Sequence, residues 1–276
     1  MSAATVRTGR PFSDAHVLAD LGGGRYRAEI DDVWAVGTKA HGGLLLVLLA
    51  RAALARLAAD TGTELDPLAV SADFLRAPDF GPVELDTDPL KIGRTVSTCA
   101  VRLTQGGKLM LHGTITAGVL PADVPRWAPE PTRPAEPTAD AVDPSPPDRP
   151  APGLSGACEL RYPPESNAFA RGETGPPVMS GWVRPRGEEP DVLFALLAGD
   201  ILPPTVFNLG GKPGWAPTVQ LTALLRGHPA PGWLRVDSRS ESVVGTWFDE
   251  DLTVVDSSGR VVCQARQLAL APLPRD

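Results

Sequence analysis

The two halves of this chain repeat one order of secondary structure, and that repeat constrains the fold more than any other feature. Each half is predicted to contain a strand, an apolar helix and then four strands, with helix starts about 149 residues apart. Residues 74–82 (FLRAPDFGP) match residues 224–232 (LLRGHPAPG) at an offset of 150, and the turns GGK and SGR match at an offset of 152. The repeat predicts two copies of one fold in tandem.

The order of the predicted elements indicates antiparallel sheets that surround helices. Residues 42–59 (GGLLLVLLARAALARLAA) are apolar on nearly all faces of a helix, which is typical of a buried helix. The predicted strands of the first half are residues 26–36, 69–75, 82–92, 94–103 and 109–119. The second half has a predicted helix at residues 192–202 and predicted strands at residues 179–183, 218–225, 233–241, 246–255 and 261–270. This order predicts an α+β double hotdog, in which two tandem antiparallel β-sheets each wrap around a long apolar helix.

A proline-rich stretch separates the two copies. Residues 121–152 contain eleven prolines and almost no large apolar side chain except Trp127. Proline is excluded from helix interiors and central strands, so this stretch is expected to lack regular secondary structure. The sequence therefore predicts an N-terminal hotdog domain at residues 1–120, a linker at 121–155 and a C-terminal hotdog domain at 156–276.

Composition argues against several classes of partner and location. The 276 residues carry a formal net charge of −7, whereas nucleic-acid binding needs a basic face. The longest apolar run, residues 42–50, is shorter than the roughly 20 residues of a membrane span, and the N-terminus lacks the apolar segment of a secretory signal. Cys99, Cys158 and Cys263 are odd in number and form no CxxC motif, which is typical of reduced thiols in a cytoplasm.

Several segments resemble the acyl-CoA thioesterase II-type family of double-hotdog enzymes. In the first half they are His41-Gly-Gly and residues 74–110; in the second they are AGDILPPTVF (198–207), residues 214–235 and SGRVVCQARQLAL (258–270). The resemblance implies hydrolysis of fatty acyl-CoA to free acid and coenzyme A in lipid metabolism. It implies no metal, no cofactor and no covalent intermediate. Pairing into a homo-oligomer through sheet edges or helices stays open.

The resemblance also implies a site. An Asp on the second helix, a Thr on the next strand and a Gln on the last strand hold and activate a water in this family, and the matching residues are Asp200, Thr218 and Gln267. The family's glycine pair at the start of the first helix matches Gly42 and Gly43. Free backbone N–H groups at a helix N-terminus carry positive partial charge and suit an oxyanion.

Each of these residues also has an ordinary structural interpretation. Asp200 could end a helix with its carboxylate in solvent, Thr218 suits a strand start, and a glycine pair could simply begin a helix. The duplicated half provides a control, because the fold places other residue types at the aligned positions. Those positions are Ala50 or Arg51 for Asp200, Leu68 for Thr218, and near Ile115 for Gln267.

Other polar and aromatic residues are weaker candidates. Thr222 is expected to share a strand face with Thr218 and is a lesser candidate, whereas Gln264 lies on the face opposite to Gln267. The histidines His16, His112 and His228 have no metal-ligand spacing, so no metal site is predicted. Four tryptophans are expected in core or interface positions: Trp34, Trp182, Trp215 and Trp233.

Three other functions compete with a thioesterase. An α/β-hydrolase needs a G-x-S-x-G motif, which this sequence lacks. A hotdog hydratase resembles a pattern with His five residues after Asp, but position 205 is Thr. A non-catalytic acyl- or acyl-CoA-binding module would keep a tunnel without the chemistry, and the presence of all three polar residue types argues against it.

Overall fold

The computed structural model of the protein describes residues 8–128, 134–145 and 153–272. The elements of the N-terminal half are α1 (Pro11–Ala15), β1 (Ala19–Gly22), β2 (Arg25–Ile30), β3 (Ala35–Val36), β4 (Lys39–Ala40), α2 (Gly42–Thr61), β5 (Asp66–Phe74), β6 (Gly81–Lys91), β7 (Ser97–Gln105) and β8 (Lys108–Gly118). Those of the C-terminal half are β9 (Cys158–Arg161), β10 (Val178–Pro185), α3 (Val192–Ala198), β11 (Thr218–Leu225), β12 (Leu234–Arg239), β13 (Val243–Val244), β14 (Trp247–Val255) and β15 (Val261–Leu270). Short 3₁₀ turns occupy Asp32–Trp34, Gly153–Gly156, Ala168–Arg171 and Thr205–Leu209.

One antiparallel sheet runs through both halves. Its strand order is β1-β2-β6-β7-β8-β5-β11-β15-β14-β12-β10-β9, with β13 paired to β14 and a separate β3-β4 pair. Read outward from the centre, β5-β8-β7-β6-β2 in one half corresponds to β11-β15-β14-β12-β10 in the other. Each half therefore has the predicted strand, helix and four strands, and the predicted double hotdog is confirmed, with its two sheets continuous.

The two halves meet at β5 and β11. Ser71 pairs with Thr222, and Ala72 pairs with Leu221. Under the 150-residue offset, Ser71 corresponds to Leu221 and Ala72 to Thr222, so exchanging the halves reproduces the same pairing. This pseudo-twofold joint covers one edge strand of each half, and uncovered edges are templates for unwanted pairing.

Helix α2 forms the core of the N-terminal half. His41 caps its start, and Gly62 ends it in the left-handed conformation (φ 68°), with its N–H bonded to the Ala58 carbonyl at 2.8 Å. Within the described residues, α2 alone is long and apolar enough to cross a bilayer. However, 67% of its most apolar window is buried, because the sheet and α3 pack against it.

Helix α3 is shorter than predicted. It begins at an Asp191 cap, whose carboxylate accepts a hydrogen bond from the Phe194 N–H at 2.7 Å, and all seven of its residues are buried. It ends at Ala198, so the predicted end at residue 202 is wrong. Gly199 follows, and the proline pair Pro203-Pro204 disfavours helical conformation in the residues before it.

The linker is described in part. Residues 121–128 and 134–145 contain no helix or strand, apart from an isolated bridge between Val142 and Tyr162. The predicted lack of regular structure holds there, while residues 129–133 and 146–152 lie outside the described residues. Trp182 Nε1 donates to the Pro134 carbonyl at 3.2 Å, so this part of the linker lies against β10. The domain boundaries stay a prediction, and residues 1–7 and 273–276 of those domains also lie outside the described ranges.

The cysteines agree with the sequence prediction that they are unpaired. Cys99, Cys158 and Cys263 are all buried free thiols. Burial raises the pKa of Cys99 to about 11 and that of Cys263 to about 12. None of the three therefore has the thiolate character of a nucleophile at neutral pH.

Candidate active site

A cavity of about 540 Å³ lies where the start of α2 meets the turn after α3 and the strands β11, β14 and β15. Most of its wall is apolar, and the larger apolar side chains in it are Leu45, Phe74, Leu154, Leu160, Tyr162, Phe207, Trp215 and Phe248. Six polar or charged side chains from both halves also line it: His41, Arg76, Asp200, Thr218, Glu250 and Gln267. An apolar cavity with a few convergent polar groups is the usual form of a small-molecule site.

Asp200 lies one turn beyond α3. Its N–H donates to the Leu197 carbonyl at 3.0 Å, which closes a 3₁₀-type turn and directs the residue toward the cavity. The residue is half-buried, and the surface that it exposes lines the cavity. Its carboxyl is otherwise enclosed by protein, so the interpretation of Asp200 as a solvent-exposed helix end is wrong.

The surroundings of Asp200 favour its protonated form. Burial, and after it the negative charge of Glu250, raise the pKa of Asp200 from the ordinary 3.8 to about 7. A hydrogen bond from the Gly43 N–H acts in the opposite direction. That N–H belongs to the first turn of α2, where the helix dipole also favours an anion. The carboxyl of the C-terminal half is therefore held by a helix of the N-terminal half.

Thr218 and Gln267 are brought together as the sequence predicts. The Thr218 hydroxyl donates to Gln267 Oε1 at 2.6 Å. The strand pairing shifts between Thr218 and Gln220, which leaves Val219 as an extra residue in β11. This bulge turns Thr218 inward, although the rest of the strand follows the opposite alternation.

The same bulge explains where Thr222 lies, and the alternation of β15 explains where Gln264 lies. Thr222 lies on the outer face of the sheet, where its hydroxyl is 2.9 Å from that of Ser71. The prediction that Thr222 shares a face with Thr218 is therefore wrong. Gln264 is exposed on the outer face, as the alternation of β15 predicts.

Glu250 is a buried acid that the sequence analysis missed. Only 2% of its surface is exposed, and its Oε1 accepts the Thr205 N–H at 2.6 Å. Its Oε2 accepts a short hydrogen bond from Gln267 Nε2. Burial raises the pKa of Glu250, against these hydrogen bonds. The alternation of Phe248, Glu250 and Leu252 along β14 could have identified it as inward-facing.

His41 is a second cavity residue that the sequence did not single out as part of the site. Its Nδ1 accepts the Leu44 N–H at 3.3 Å, and its Nε2 lies 3.1 Å from the main-chain oxygen of Asp200. Since Nδ1 accepts, Nε2 carries the proton and donates to Asp200. Burial lowers the pKa of His41 to about 4, so the ring is neutral near pH 7. His41 thus joins α2 to the turn after α3 and is not placed to act as a base.

The glycine pair has a steric reason that the sequence did not reveal. A Cβ on Gly42 would lie 2.5 Å from Asp200 Oδ2, and a Cβ on Gly43 would lie 2.7 Å from the Leu197 carbonyl oxygen. Glycine therefore permits the close contact between the start of α2 and the end of α3. The Gly43 N–H is engaged by Asp200, whereas Gly42 borders the cavity.

A groove of about 1070 Å³ on the outer sheet face contains Arg171, Arg239 and Arg266, and each pairs with a neighbouring carboxylate, as on an ordinary solvated face. No cluster of three or more metal-ligating side chains occurs within the described residues. Trp215 is half exposed in the cavity wall, so a core position is wrong, while a position at an interface stays a prediction.

Two sequence-family models match this chain, one in each half. The family described as acyl-CoA thioesterase N-terminal domain matches residues 30–118, and the family described as acyl-CoA thioesterase C-terminal domain matches residues 131–271. Among curated proteins, an uncharacterized protein of Mycobacterium tuberculosis is 41% identical over 266 residues, which cover 90% of this chain and 91% of that protein.

Solved structures are similar over nearly the whole chain. A Thermobifida fusca YX protein described as a candidate thioesterase II has a TM-score of 0.86 and 35% identity, covering 97% of this chain and 99% of that one. A hot dog fold protein of unknown function from Alicyclobacillus acidocaldarius has a TM-score of 0.81 at 18% identity, covering 96% and 98%. An acyl-CoA thioesterase II from Mycobacterium marinum has a TM-score of 0.68 at 18% identity, covering 95% and 97%. The last two likenesses support the fold alone.

Proposed function

This chain belongs to the acyl-CoA thioesterase family, and we propose that it hydrolyses fatty acyl-CoA thioesters to free acid and coenzyme A by general-base activation of water. The observation that carries the proposal is the convergence of Asp200, Thr218 and Gln267 beside the start of α2, in an otherwise apolar cavity. The apolar wall suits an acyl chain. The polar cluster is where the thioester carbonyl and the attacking water would meet.

The hydrogen bonds leave room for one oriented water. The Thr218 hydroxyl donates its hydrogen bond to Gln267 Oε1, so the lone pairs of the hydroxyl oxygen are free to accept from a water. One N–H of the Gln267 amide donates to Glu250, and the second is free to donate to the water. A water that accepts from Gln267 and donates to Thr218 and Asp200 keeps a lone pair for attack on the carbonyl carbon.

The proposed reaction balances without a covalent intermediate. The Asp200 carboxylate takes a proton as the water oxygen bonds to the carbonyl carbon, and the carbonyl oxygen becomes an oxyanion. The Gly42 N–H and the dipole of α2 would stabilise that oxyanion, while Gly43 serves the site by holding Asp200. Collapse breaks the C–S bond, and the departing thiolate takes the proton from Asp200.

The proposal extends to the cellular location, the metabolic role and the oligomeric state of the protein. The unpaired, buried cysteines support a reducing cytoplasm, and the family supports a role in lipid metabolism. All the proposed site residues come from one chain, so the site is compatible with either a monomer or a homo-oligomer.

Replacing the base tests the mechanism. Asp200→Asn keeps the size and the acceptor for the Gly43 N–H but removes the base, so kcat should fall by about 100-fold or more at pH 8. The measurement is release of coenzyme A from a panel of acyl chain lengths, followed with a thiol-reactive dye. Asp73→Asn, on an exposed position of β5, is the matched control and should retain full activity.

The same assay separates the competing functions. A folded Asp200→Asn protein that hydrolyses at the parental rate would show that another group is the base. A wild-type protein that binds acyl-CoA in calorimetry but releases no thiol would favour the non-catalytic binding module. A hydratase is disfavoured because Thr205, at the position where that pattern has His, is fully buried and bonded to Glu250 through its N–H.

A further inference from the structure

Behind the proposed catalytic residues lies a buried carboxylate to which the family resemblance assigns no role. We propose that Glu250 is a positioning residue: it fixes the amide of Gln267 so that Gln267 and Thr218 present matched groups to the attacking water. This inference rests on the proposed function, because the water is the one that Asp200 would activate. Its geometric part, the hold of Glu250 on Gln267, is testable without any activity.

The orientation of a glutamine amide needs a partner that distinguishes its two ends. Glu250 Oε2 accepts from Gln267 Nε2, and a carboxylate cannot accept from the amide oxygen. The amide oxygen is thereby directed to the Thr218 hydroxyl at 2.6 Å. Without Glu250, the amide could rotate by 180° and place its NH₂ group toward Thr218. The water would then lose its donor, and Thr218 would lose its acceptor.

The Glu250 carboxylate is itself held in place by hydrogen bonds, so it can orient the Gln267 amide. Its Oε1 accepts the Thr205 N–H at 2.6 Å, and the Thr205 hydroxyl adds a further hydrogen bond. The Thr205 hydroxyl is in turn 2.6 Å from that of Ser240. These donors favour one rotamer and the ionised form of Glu250, against the burial that raises its pKa. Glu250 therefore links the turn after α3 to β15.

The negative charge of Glu250 also affects the pKa of the proposed base, Asp200. It is the charged group that raises the pKa of Asp200, after burial. Of the other titratable groups around the pair, His41 is neutral, and Asp249 faces outward on the same strand, paired with Arg266. Arg76 lines the same cavity but is exposed, and its guanidinium donates to the Leu109 carbonyl at 2.9 Å. Helix α3 has no ionisable residue, and Arg235 and Asp237 of β12 pair with each other on the outer face. Removing the charge of Glu250 should therefore make Asp200 easier to ionise.

Two substitutions separate orientation from charge. Glu250→Gln removes the charge and leaves one acceptor oxygen for three donors, so kcat should fall about 10- to 100-fold with KM little changed. The acid limb of the pH profile of kcat/KM should move to lower pH by about one unit. Glu250→Asp keeps the charge but shortens the reach, so kcat should fall while the acid limb stays in place. Asp249→Asn, on the opposite face of β14, is the control and should change neither.

An NMR measurement tests the orientation independently of hydrolysis. The chain has six side-chain amides, those of Gln105, Gln220, Gln264, Gln267, Asn167 and Asn208. The Gln267 NH₂ pair is assigned by its absence in Gln267→Leu. In the wild-type protein this pair should shift as Glu250 titrates. In Glu250→Gln, where the new glutamine adds a seventh pair, the Gln267 pair should move more than the other five original pairs.

The outcomes are distinct. A Gln267 pair that is unchanged in Glu250→Gln overturns the proposal, as does a folded Glu250→Gln enzyme with parental kcat and acid limb. A wild-type protein that hydrolyses no acyl-CoA overturns the proposed function instead, and the spectra still decide whether Glu250 orients Gln267. A fall in kcat in both variants, with the acid limb moved only in Glu250→Gln, supports the proposal.

Discussion

At the scale of single residues, Asp200 combines a favourable chemical property with a cost in stability. Its carboxyl is enclosed beside another buried acid, Glu250, and both effects raise its pKa to about 7. A base with a pKa near neutrality can take a proton from water and release it again. However, holding the ionised form in this place is unfavourable, since the unfolded chain would ionise the same group near 3.8.

This cost makes a prediction about the pH dependence of stability. The folded state binds the Asp200 proton more tightly than the unfolded state, so the contribution of Asp200 to the free energy of unfolding falls as pH rises from about 4 to about 7. Asp200→Asn has no carboxyl to ionise, so its free energy of unfolding does not show this fall. It should therefore be more stable than the wild type at pH 8 by a few kcal/mol, since one pKa unit corresponds to about 1.4 kcal/mol.

Urea denaturation at pH 5 and pH 8 measures how the stability difference between Asp200→Asn and the wild type changes with pH. The stability gap between Asp200→Asn and the wild type should be small at pH 5 and larger at pH 8. Asp73→Asn, which changes an exposed carboxylate, should show no such widening. A variant that is less stable than the wild type at pH 8 would contradict a raised pKa of Asp200.

At the scale of elements, the site depends on how closely the start of α2 approaches the end of α3. Gly42 and Gly43 have no Cβ, and His41 bridges from the same turn to the Asp200 carbonyl. The Gly43 N–H reaches the Asp200 carboxyl because of this contact. The two helices therefore position the proposed base from one half against a helix dipole from the other.

The two glycines should respond differently to an added methyl group. In Gly43→Ala the Cβ would meet the backbone oxygen of Leu197 at 2.7 Å, so the helices must separate and the free energy of unfolding should fall by about 1–3 kcal/mol. In Gly42→Ala the Cβ would meet the end of the Asp200 side chain, which can rotate away. Gly42→Ala should therefore lose activity with a smaller loss of stability.

Chemical denaturation together with coenzyme A release distinguishes the two effects. Each variant serves as the control for the other, because both add one methyl group to the same helix turn. If Gly43→Ala were as stable as the wild type, the close contact between α2 and α3 would not constrain the fold. Equal loss of stability in both variants would mean that Asp200 cannot move aside.

At the scale of the whole molecule, a symmetric fold carries an asymmetric site. The pseudo-twofold relation gives each half a position for the same chemistry. However, the N-terminal half places Ala50 or Arg51 at the position aligned with Asp200, Leu68 at that of Thr218 and Ile115 at that of Gln267. Cys99 is the pairing partner of Ile115, as Glu250 is of Gln267. The duplicate thus supplies half of the sheet and the start of α2, and none of the aligned acids or amides.

The composite site predicts that neither half works alone. When the chain is divided between Asp123 and Val124, residues 124–276 should hydrolyse no acyl-CoA, because they lack the helix turn at Gly43 and leave β11 as an open edge. Residues 1–123 should also be inactive, because they lack Asp200. Co-expressed halves should copurify and regain hydrolysis, since β5–β11 pairing and the contact of α2 with α3 reunite the site. Activity in residues 124–276 alone would contradict the shared site.

Much of the fold was predictable because the relevant signals are local in the sequence. The long apolar run of α2, the alternation of the strands and the 150-residue repeat each depend on neighbouring residues, and they led to the double hotdog. The residue types of Asp200, Thr218 and Gln267, set against their counterparts in the other half, were also readable. The alternation in β14 would have identified Glu250 as inward-facing, although not what it contacts.

The sequence by itself determined the repeated architecture and a set of candidate residues, because periodicity and duplication are written along the chain. Only the tertiary structure decided how those residues work together. The bulge at Val219 that turns Thr218 inward depends on pairing with β15, and the enclosure of Asp200 depends on a helix about 150 residues away. The raised pKa of Asp200 likewise comes first from burial and then from the charge of Glu250, which lies on a separate strand and accepts a hydrogen bond from Gln267. Such effects arise from packing between distant segments, which no local pattern encodes.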